Sequence, residues 1–326
     1  MTASVTHNSA NITHRSEHQI TVDAPAERVY ALIADVGKWP QVFDPTVHAE
    51  CVEQVGQTEL IRIWATANGA VKTWVSRRHH DPAAMSITFR QEHSQHPVGG
   101  MGGTWAVEPL TQSTCRVRLL HDYFAATGEP ADVDWITKAV DRNSEAELRA
   151  LKSTAQAAGS PSPLTFDDTV EVDGAAEDVY DFLNEAGKWE ERLPHVVRVS
   201  LTEETPGLQV LEMDTRTKDG SVHTTQSVRV CEPHHRIIYK QIVLPALMTL
   251  HTGRWLITER APGQVSVTSE HTVRIDESRI TSVLGDGADL ASAQAFVRKA
   301  LSGNSLATLR LAKSYAEDAS SGRDGR

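Results

Sequence analysis

Two kinds of side chain that can do acid–base and oxyanion chemistry occur twice in this sequence, at matching places. Arg78 is matched by Arg229, and His121 is matched by His271. An arginine inside a cavity stays charged and donates up to five hydrogen bonds, so it can hold an oxyanion. The ordinary pKa of histidine lies near neutrality, which suits the side chain to proton transfer. These four residues are therefore candidate catalytic groups.

Each candidate lies on a strand face that mixes bulky apolar side chains with single polar groups. Side chains alternate faces along a strand, so Arg78 shares its face with Trp74 and Ser76. A buried core needs no arginine and a solvated face needs no tryptophans, whereas a cavity lining accommodates both. By the same alternation, the other strand residues assigned to the two linings are Met101, Trp105, Tyr123, Ser227, His251 and Trp255.

Two asparagines are predicted to reach the same cavities from the closing helices. Asn143 and Asn304 lie on lines of mostly apolar residues that recur every three or four positions. Asparagine has poor helix propensity and needs a partner when buried, which favours a hydrogen bond to a ligand. The predicted inward lines are Ile136, Ala139, Asn143, Ala146 and Ala150, and then Ala293, Val297, Ala300, Asn304, Ala307 and Leu311.

Structural interpretations compete with these assignments. A single strand arginine is usually a charge that faces solvent, and a single histidine is more often structural than catalytic. Recurrence on the same face favours function for both pairs. Trp39 and Trp189 are interpreted as core anchors, and His79-His80 and His234-His235 as exposed turn residues.

The recurrences share one spacing, which indicates that a unit of about 150 residues is duplicated. Val22-Asp23-Ala24 is matched by Val172-Asp173-Gly174, and Gly37-Lys38-Trp39 by Gly187-Lys188-Trp189. A chain of 326 residues suits two domains, because single cores usually stop growing below that size. We predict domains at residues 14–156 and 164–317, a linker at 157–163, and disordered tails at 1–13 and 318–326.

Each copy has the same predicted order of elements: one strand, two short helices, a run of strands and one long helix. This order predicts an α+β fold of tandem helix-grip domains, in which a curved antiparallel sheet wraps around the long C-terminal helix. Antiparallel sheets have two distinct faces, so the inner face can enclose an interior cavity. The predicted strands of the first copy lie near 48–55, 58–67, 70–79, 84–92, 101–109 and 115–125, and the two closing helices at 134–156 and 288–317.

The bulk composition argues against several classes of partner. The net charge of −11 makes nucleic acid and anionic membranes poor partners. Three cysteines form no even framework, which favours a reducing cytoplasm, and no apolar run approaches the roughly 20 residues of a membrane span. The sequence contains no Walker loop, Rossmann fingerprint or paired Cys-x-x-Cys, so we expect neither a cofactor nor a metal.

Two segments of the first copy carry a family resemblance. They are Trp74-Val75-Ser76-Arg77-Arg78, which follows Asn68-Gly69, and Met101-Gly102-Gly103-Thr104-Trp105. With the duplicated plan, they resemble the polyketide aromatase/cyclases of bacterial type II polyketide synthases, in their two-domain form. The resemblance covers about residues 14–156 and 164–317 and places the chain in the START-like helix-grip superfamily.

The resemblance implies roles for individual residues. Arg78 corresponds to an arginine that lies in the family's cavity and is needed for cyclisation. The second copy departs from the pattern, because Leu193 stands where the first copy has Phe43, and Thr225 stands where it has Trp74. The residues that the resemblance places at the first pocket, besides Arg78, are Phe43, Arg90, Met101, Trp105 and Asn143.

A substrate and a reaction also follow from the resemblance. The implied substrate is a poly-β-ketone held on the acyl carrier protein of a type II polyketide synthase. The implied reaction is cofactor-independent aldol closure of the first ring, between carbons 7 and 12, and loss of water in aromatic antibiotic biosynthesis. Arg78 would hold the oxyanion and His121 would move protons, with Tyr123 orienting His121 or the substrate. Arg229, His251 and His271 form an analogous set, and the division of steps between the copies stays open.

The alternative function is a non-catalytic START-like carrier of a small hydrophobic ligand. The helix-grip fold hosts many binding proteins that do no chemistry. A carrier favours an apolar cavity without a recurring arginine and histidine, so the recurrence favours an enzyme.

Overall fold

The computed structural model describes residues 13–67, 70–157, 162–216 and 220–324. The chain divides into two compact units, the first of residues 1–65 and 72–160 and the second of residues 66–71 and 161–326. Most of the predicted N-terminal tail and of the predicted linker lies outside the described residues.

The first unit is one seven-stranded antiparallel sheet with two short helices and one long helix. Its strands are β1 (His14–Val22), β2 (Thr46–Val55), β3 (Thr58–Ala67), β4 (Ala70–Asp81), β5 (Ser86–Gln91), β6 (Val98–Pro109) and β7 (Cys115–Ala125). Its helices are α1 (Ala26–Ala34), α2 (Trp39–Val42) and α3 (Pro130–Gln156). The strand order is β1-β7-β6-β5-β4-β3-β2, so the first and last strands of the unit are neighbours.

Local sequence explains why these segments take these forms. Along β1 the side chains alternate between half-buried and exposed until Val22, as expected for a strand with one face turned inward. Gly56 has a positive φ of 59° in the tight turn between β2 and β3, a conformation that costs glycine little. Pro130 stands in the first turn of α3, where its missing N–H costs nothing. The core forms where the inner faces of β6 and β7 meet α1 and α3.

The second unit repeats this architecture and adds one short helix. Its strands are β8 (Leu164–Val172), β9 (Val196–Thr205), β10 (Leu208–Arg216), β11 (Val222–Glu232), β12 (Arg236–Val243), β13 (Met248–Ala261) and β14 (Gln264–Ile275). Its helices are α4 (Ala176–Asn184), α5 (Trp189–Arg192), α6 (Ile280–Leu284) and α7 (Leu290–Asp324). The strand order β8-β14-β13-β12-β11-β10-β9 matches that of the first unit. The predicted α+β fold of tandem helix-grip units is confirmed.

The final helix is longer than predicted. Helix α7 continues to Asp324, past the predicted domain end at residue 317 and through most of the predicted C-terminal tail. Among the residues that the structure describes, no helix has both the length and the apolar character that crossing a bilayer requires.

The predicted inward faces of the two long helices begin in the correct phase and then drift out of it. On α3 the prediction holds at Ile136, but the buried line continues through Val140, Ser144 and Leu148, whereas Asn143 is exposed. On α7 the prediction holds at Ala293 and Val297 but then fails, because Asn304 is exposed and Ser305 is buried. The prediction followed alanines, which favour helix in any environment and therefore need no burial. Burial of the larger apolar side chains sets the rotation of the helix instead.

Candidate active site

The strand register of the first unit aligns the two candidate catalytic residues in one row across the inner face of the sheet. Arg78 of β4 pairs with Phe89 of β5, Phe89 with Gly103 of β6, and Gly103 with His121 of β7. We call these four residues the first row. Neighbouring strands lie about 4.8 Å apart, so three steps separate the Arg78 and His121 backbones by about 14 Å.

The second unit has the same row. Arg229 of β11 pairs with Tyr239 of β12, Tyr239 with Gly253 of β13, and Gly253 with His271 of β14. We call these residues the second row. The recurring arginine and histidine are thus equivalent in register as well as in sequence, and the aromatic residue between them differs by one hydroxyl.

Glycine is required at the third position of each row. A Cβ atom on Gly103 would collide with the carbonyl oxygen of Leu120 and the ring of Phe89. A Cβ atom on Gly253 would collide with the carbonyl of Glu270 and the Tyr239 phenol. Each glycine therefore lets the aromatic ring lie across the sheet toward the histidine. In the first row the Phe89 and His121 ring centres are 5.5 Å apart and nearly perpendicular.

Arg78 is almost completely buried, and its guanidinium is held by the protein. Its Nη1 donates to the carbonyl oxygen of Ile33 at 3.2 Å, and its Nη2 donates to that of Ala34 at 3.0 Å. These carbonyls end helix α1, where the helix dipole favours a cation. The Nε lies 3.0 Å from Oε1 of the buried Glu59, and the guanidinium lies 5.1 Å from the centre of the Trp39 ring. We call this arrangement the arginine clamp of the first unit.

Few donors of Arg78 remain for a ligand. Burial lowers the pKa of Arg78 to about 10, against the opposing effect of Glu59, so the side chain remains charged at neutral pH. Its Nη2 also lies 3.2 Å from Nε2 of His80, which is 2.7 Å from Glu59. Of the five N–H groups of a guanidinium, one on Nη1 has no assigned contact, and the Nε group faces Glu59 at 3.0 Å as an ion pair without hydrogen-bond geometry. His80 is a half-buried member of this network, which corrects its interpretation as an exposed turn residue.

The second unit has an equivalent clamp without the carboxylate. Arg229 Nη2 donates to the carbonyl of Leu183 at 2.7 Å, and its guanidinium lies 5.2 Å from the centre of the Trp189 ring. Gln209 replaces Glu59, and its Nε2 donates to the carbonyl of Asn184 at 3.2 Å. Burial lowers the pKa of Arg229. Its Nη1 is buried and has no hydrogen-bond partner among the described residues.

The two clamps explain why the Gly-Lys-Trp motif recurs with the arginine. Trp39 Nε1 donates to the carbonyl of Ile33 at 3.1 Å, and Trp189 Nε1 donates to that of Phe182 at 3.3 Å. Each tryptophan thus ties the short helices to the end of the preceding helix and offers its ring to the arginine. The interpretation of both tryptophans as core anchors agrees with these contacts.

His121 has one polar contact on the closing helix. Its Nδ1 lies 3.4 Å from Oγ of Ser144. Burial, with a smaller contribution from His18, lowers the pKa of His121 to about 4, so the ring is neutral at pH 7. Tyr123 does not orient His121, because its hydroxyl lies 2.8 Å from Oγ1 of Thr137 instead.

His271 lies at the centre of a buried polar network. Its Nδ1 is 2.9 Å from the Tyr239 hydroxyl and 3.0 Å from Nε2 of His251. Its Nε2 is 2.8 Å from Oγ of Ser305 and 3.1 Å from Oγ of Ser269. Burial lowers the pKa of His251 to about 3, with His271 adding to the effect, and burial also lowers the pKa of His271 to about 4. Both rings are therefore neutral at pH 7.

Sequence reasoning missed Tyr239 and both helix serines. Each serine directly follows an asparagine that was chosen in its place, in the recurring pairs Asn143-Ser144 and Asn304-Ser305. The recurrence of the pair was a usable signal, but only the helix phase decides which member points inward. Tyr239 was detectable as the counterpart of Phe89, 150 residues earlier.

Aromatic and apolar side chains surround the rows. Phe43 and Trp105 are both buried with ring centres 6.3 Å apart, and Trp39 stands edge-on to Phe43 at 5.5 Å. Met101 and Trp74 are half-buried at the edges of smaller apolar clusters. Of the remaining residues that are predicted to line the pockets, one is half-buried, Ser227, and three are buried: Ser76, Tyr123 and Trp255.

Arg90 is not a lining residue, which corrects its predicted role. It follows Phe89 on β5, and alternation therefore turns it to the opposite, outer face. The side chain is exposed, and its Nη2 donates to Oδ2 of Asp122, which lies on the same outer face two strands away on β7. Within the described ranges, no group of three His, Cys, Asp or Glu residues is arranged to hold a metal ion.

The fold and the two rows define a tandem helix-grip protein with a buried arginine in each unit and a histidine that is half-buried in the first unit and buried in the second. The chain belongs to the polyketide cyclase/dehydrase family: the family model described as polyketide cyclase / dehydrase and lipid transport matches residues 13–156 and again residues 163–317. The predicted family and the predicted enzyme class, a polyketide cyclase/dehydratase, are thereby confirmed together with the relatives below.

Two curated relatives cover nearly the whole chain. The granaticin polyketide synthase bifunctional cyclase/dehydratase of Streptomyces virginiae is 49% identical over 298 residues, which cover 90% of this chain and 97% of that protein. The actinorhodin polyketide synthase bifunctional cyclase/dehydratase of Streptomyces coelicolor is 44% identical over 319 residues, which cover 94% of this chain and 98% of that protein.

Two solved structures share the tandem arrangement. The di-domain ARO/CYC BexL from the BE-7585A biosynthetic pathway is 57% identical, with a TM-score of 0.86 over 93% of this chain and 99% of that one. The di-domain ARO/CYC StfQ from the steffimycin biosynthetic pathway is 34% identical, with a TM-score of 0.84 over 94% of this chain and 99% of that one.

Proposed function

We propose that this cyclase/dehydratase closes the first ring of a poly-β-ketone bound to an acyl carrier protein and then removes water from the ring, joining carbons 7 and 12. We place its two domains at residues 14–156 and 164–317, and the division of the chain into two compact units supports this assignment. The relatives that cover the whole chain are named bifunctional cyclase/dehydratases of polyketide synthases, which supports this proposal. The observation that carries it is the pair of rows, each with a buried arginine and a neutral histidine that is half-buried in the first row and buried in the second.

Neutral histidines suit the first step of an aldol closure. The methylene between two ketones is already acidic, so a modest base is enough to form the enolate. His121 and His271 are neutral at pH 7 because burial lowers their pKa values, and each ring has a nitrogen lone pair that can accept the proton. The enolate carbon then attacks a ketone, a carbon–carbon bond forms, and the ketone oxygen becomes an alkoxide that takes up the proton.

We propose that the arginine of each row binds the substrate oxygen that becomes negatively charged during the reaction. Arg229 is the better placed donor, since its buried Nη1 has no protein partner among the described residues. Arg78 offers its second Nη1 hydrogen, and its buried Nε pairs with the charge of Glu59 without forming a hydrogen bond. Removal of one well-placed oxyanion donor typically costs about 3–4 kcal/mol of transition-state stabilisation. A poly-β-ketone carries an oxygen on every second carbon, so a bent chain can meet both ends of a row.

We propose that aromatic side chains beside the first row determine how the bound poly-β-ketone chain bends. The buried rings of Phe43 and Trp105 form a rigid wall beside the first row. Holding the two reacting carbons close can supply much of the barrier reduction, because the chain no longer loses that freedom during the reaction. The second unit has Leu193 where the first has Phe43, so its wall is less aromatic.

The test is product analysis of a reconstituted minimal synthase with a carrier protein, run with and without a ketoreductase. Adding the wild-type protein should move the products to a ring that joins carbons 7 and 12, mapped with carbon-13-labelled acetate. His121→Ala and Arg229→Ala should each lower the final, dehydrated aromatic product at least about tenfold. Arg90→Ala is the matched control, because Arg90 is exposed on the outer face and should leave the products unchanged.

Two outcomes would contradict the proposal. If the wild-type protein leaves the product distribution of the synthase unchanged, it is not the cyclase of that chain. If it also binds a polyketide mimic tightly without changing any product, the carrier function is favoured instead.

A further inference from the structure

Three exchanges around the histidine of the row replace an apolar side chain of the first unit with one that can form hydrogen bonds in the second. A fourth runs in the opposite direction, because Ser16, which pairs with His121, corresponds to Phe166, whose ring stacks on His271 at 5.1 Å. The backbone register around these positions is the same in both units, so the exchanges are matched in place. The first three are Phe89 to Tyr239, Met101 to His251, and Leu119 to Ser269.

The exchanges turn a single histidine into a connected chain of proton-carrying groups. A neutral imidazole has one N–H and one lone pair, so it can accept a proton at one nitrogen while it releases a proton from the other. His271 has polar groups at both nitrogens: Ser305 at Nε2, and the Tyr239 hydroxyl and His251 at Nδ1. His121 of the first unit has only the longer 3.4 Å contact with Ser144.

The chain has one open end. His251 Nδ1 is buried and has no hydrogen-bond partner among the described residues, although the residue is only 2% exposed. A buried polar atom without a partner is costly, and such atoms in functional proteins often mark the place of a ligand. An oxygen or an acidic C–H of a bound substrate would satisfy this nitrogen.

We propose that the second unit carries out the dehydration, with His251, His271 and Tyr239 as a relay that returns the proton taken from carbon to the departing hydroxyl. This inference rests on the proposed function and assigns one of its two steps. In the step, the carbon–hydrogen bond beside the ketone breaks and its proton passes to the histidine pair. The carbon–oxygen bond of the aldol hydroxyl then breaks, the hydroxyl takes up a proton from the relay, and a carbon–carbon double bond and water form.

The surroundings of the relay favour a step that begins and ends with neutral groups. Burial lowers the pKa of both histidines and raises that of Tyr239, so all three groups are neutral at pH 7. A lasting imidazolium is therefore disfavoured in this site. A relay that passes the proton on to the leaving hydroxyl keeps the site neutral before and after the step. In the first unit the nearby His18 contacts Asp141 at 3.1 Å and forms no hydrogen bond with His121, so His121 lacks such a return path and suits the ring closure.

The test converts the relay into its first-unit counterpart. His251→Met and Tyr239→Phe restore the side-chain types that the first unit carries at those positions. In the reconstituted synthase, each variant should keep the first-ring closure and accumulate the ring-closed product that is one water heavier, at least about tenfold over wild type. His235→Met and Tyr315→Phe are matched controls on exposed residues and should behave as wild type.

Folding and hydrogen bonding are checked separately from products. Circular dichroism and thermal melting show whether each variant keeps its fold. In nitrogen-15-labelled protein, Tyr239→Phe should shift the ring-nitrogen resonances of His271, because the Tyr239 hydroxyl lies 2.9 Å from Nδ1. An unchanged His271 spectrum would show that the network does not exist in solution and would overturn the inference.

The product outcomes separate this inference from the proposed function. If wild-type protein directs the products but folded His251→Met and Tyr239→Phe dehydrate as wild type does, only the relay is refuted. If both variants lose ring closure together with dehydration, the second unit closes the ring and the assignment is wrong. If wild-type protein has no effect on the products, the proposed function itself fails.

Discussion

The two units have the same backbone architecture, but the side chains around the equivalent histidines, His121 and His271, differ. In the first unit His121 faces Phe89 and a distant serine, whereas in the second unit His271 touches Tyr239, His251 and two serines. The arginine clamps differ in the opposite sense, because the first unit has the more polar clamp. Its arginine pairs with a buried carboxylate, and the arginine of the second clamp does not. Duplication therefore preserved the parts that hold the sheet to the first helix and let the polar groups around the row diverge.

The comparison also separates two reasons for recurrence. The arginine recurs with the Gly-Lys-Trp motif because the clamp needs both, whatever else the arginine does. The histidine recurs without such a structural partner in the first unit, where its one polar contact is long. Recurrence is thus stronger evidence of chemistry for His121 and His271 than for the arginines.

The largest effect should come from breaking the charge pair that only the first clamp has. Glu59→Ala removes the carboxylate and leaves the buried Arg78 charge with two carbonyls, His80 and the Trp39 ring, and loss of one partner of a buried pair typically costs about 3–5 kcal/mol. Gln209→Ala at the equivalent place removes neutral donors and should cost about 1–2 kcal/mol. Urea denaturation of the two variants and wild type measures both. Equal losses would mean that the two clamps are energetically alike.

The next effect is acid sensitivity, which should be concentrated in the second row. The unfolded chain binds protons on histidine near pH 6.5, whereas His251 and His271 in the folded protein resist protonation until about pH 3 and 4. Between these values the unfolded state holds more protons, so stability is full above pH 6.5 and falls as the pH falls. We expect a loss of about 2 kcal/mol per buried histidine between pH 7 and pH 5.

Urea denaturation at the two pH values checks this expectation. His251→Met should reduce the difference between pH 7 and pH 5, while the exposed His235→Met should leave it as in wild type. A His251→Met protein with the full wild-type acid sensitivity would show that this histidine is not held neutral.

The smallest effects test the phase of the closing helices. Ser305→Ala removes a 2.8 Å contact to His271 and should cost about 1 kcal/mol, and Ser144→Ala, with its 3.4 Å contact to His121, should cost less. Asn143→Ala and Asn304→Ala are exposed substitutions and should stay within about 0.5 kcal/mol of wild type. Thermal melting of the four variants orders them. An asparagine variant that loses more stability than the variant of the neighbouring serine would support the helix phase predicted from the sequence.

Much of the plan was readable from the sequence because it depends on local signals. The 150-residue repeat and the strand alternation predicted the strands from 48–55 to 115–125 within a few residues, and both long helices near their observed starts. The same alternation correctly grouped Trp105 with Arg78 and His121 on one face. Arg90 is misplaced because its assignment follows the family resemblance. The alternation of side chains next to Phe89 puts it on the outer face.

The sequence by itself determined the duplication, the fold class, the family and the pairs Arg78/Arg229 and His121/His271. Only the tertiary structure decided what those pairs touch. A buried partner such as Glu59 or Tyr239 lies on another strand, and its contact depends on cross-strand register and ring placement over a glycine. The choice between Asn143 and Ser144 depends on how the whole helix rotates to bury its largest apolar side chains. Both are properties of packing between distant segments, which local periodicity does not contain.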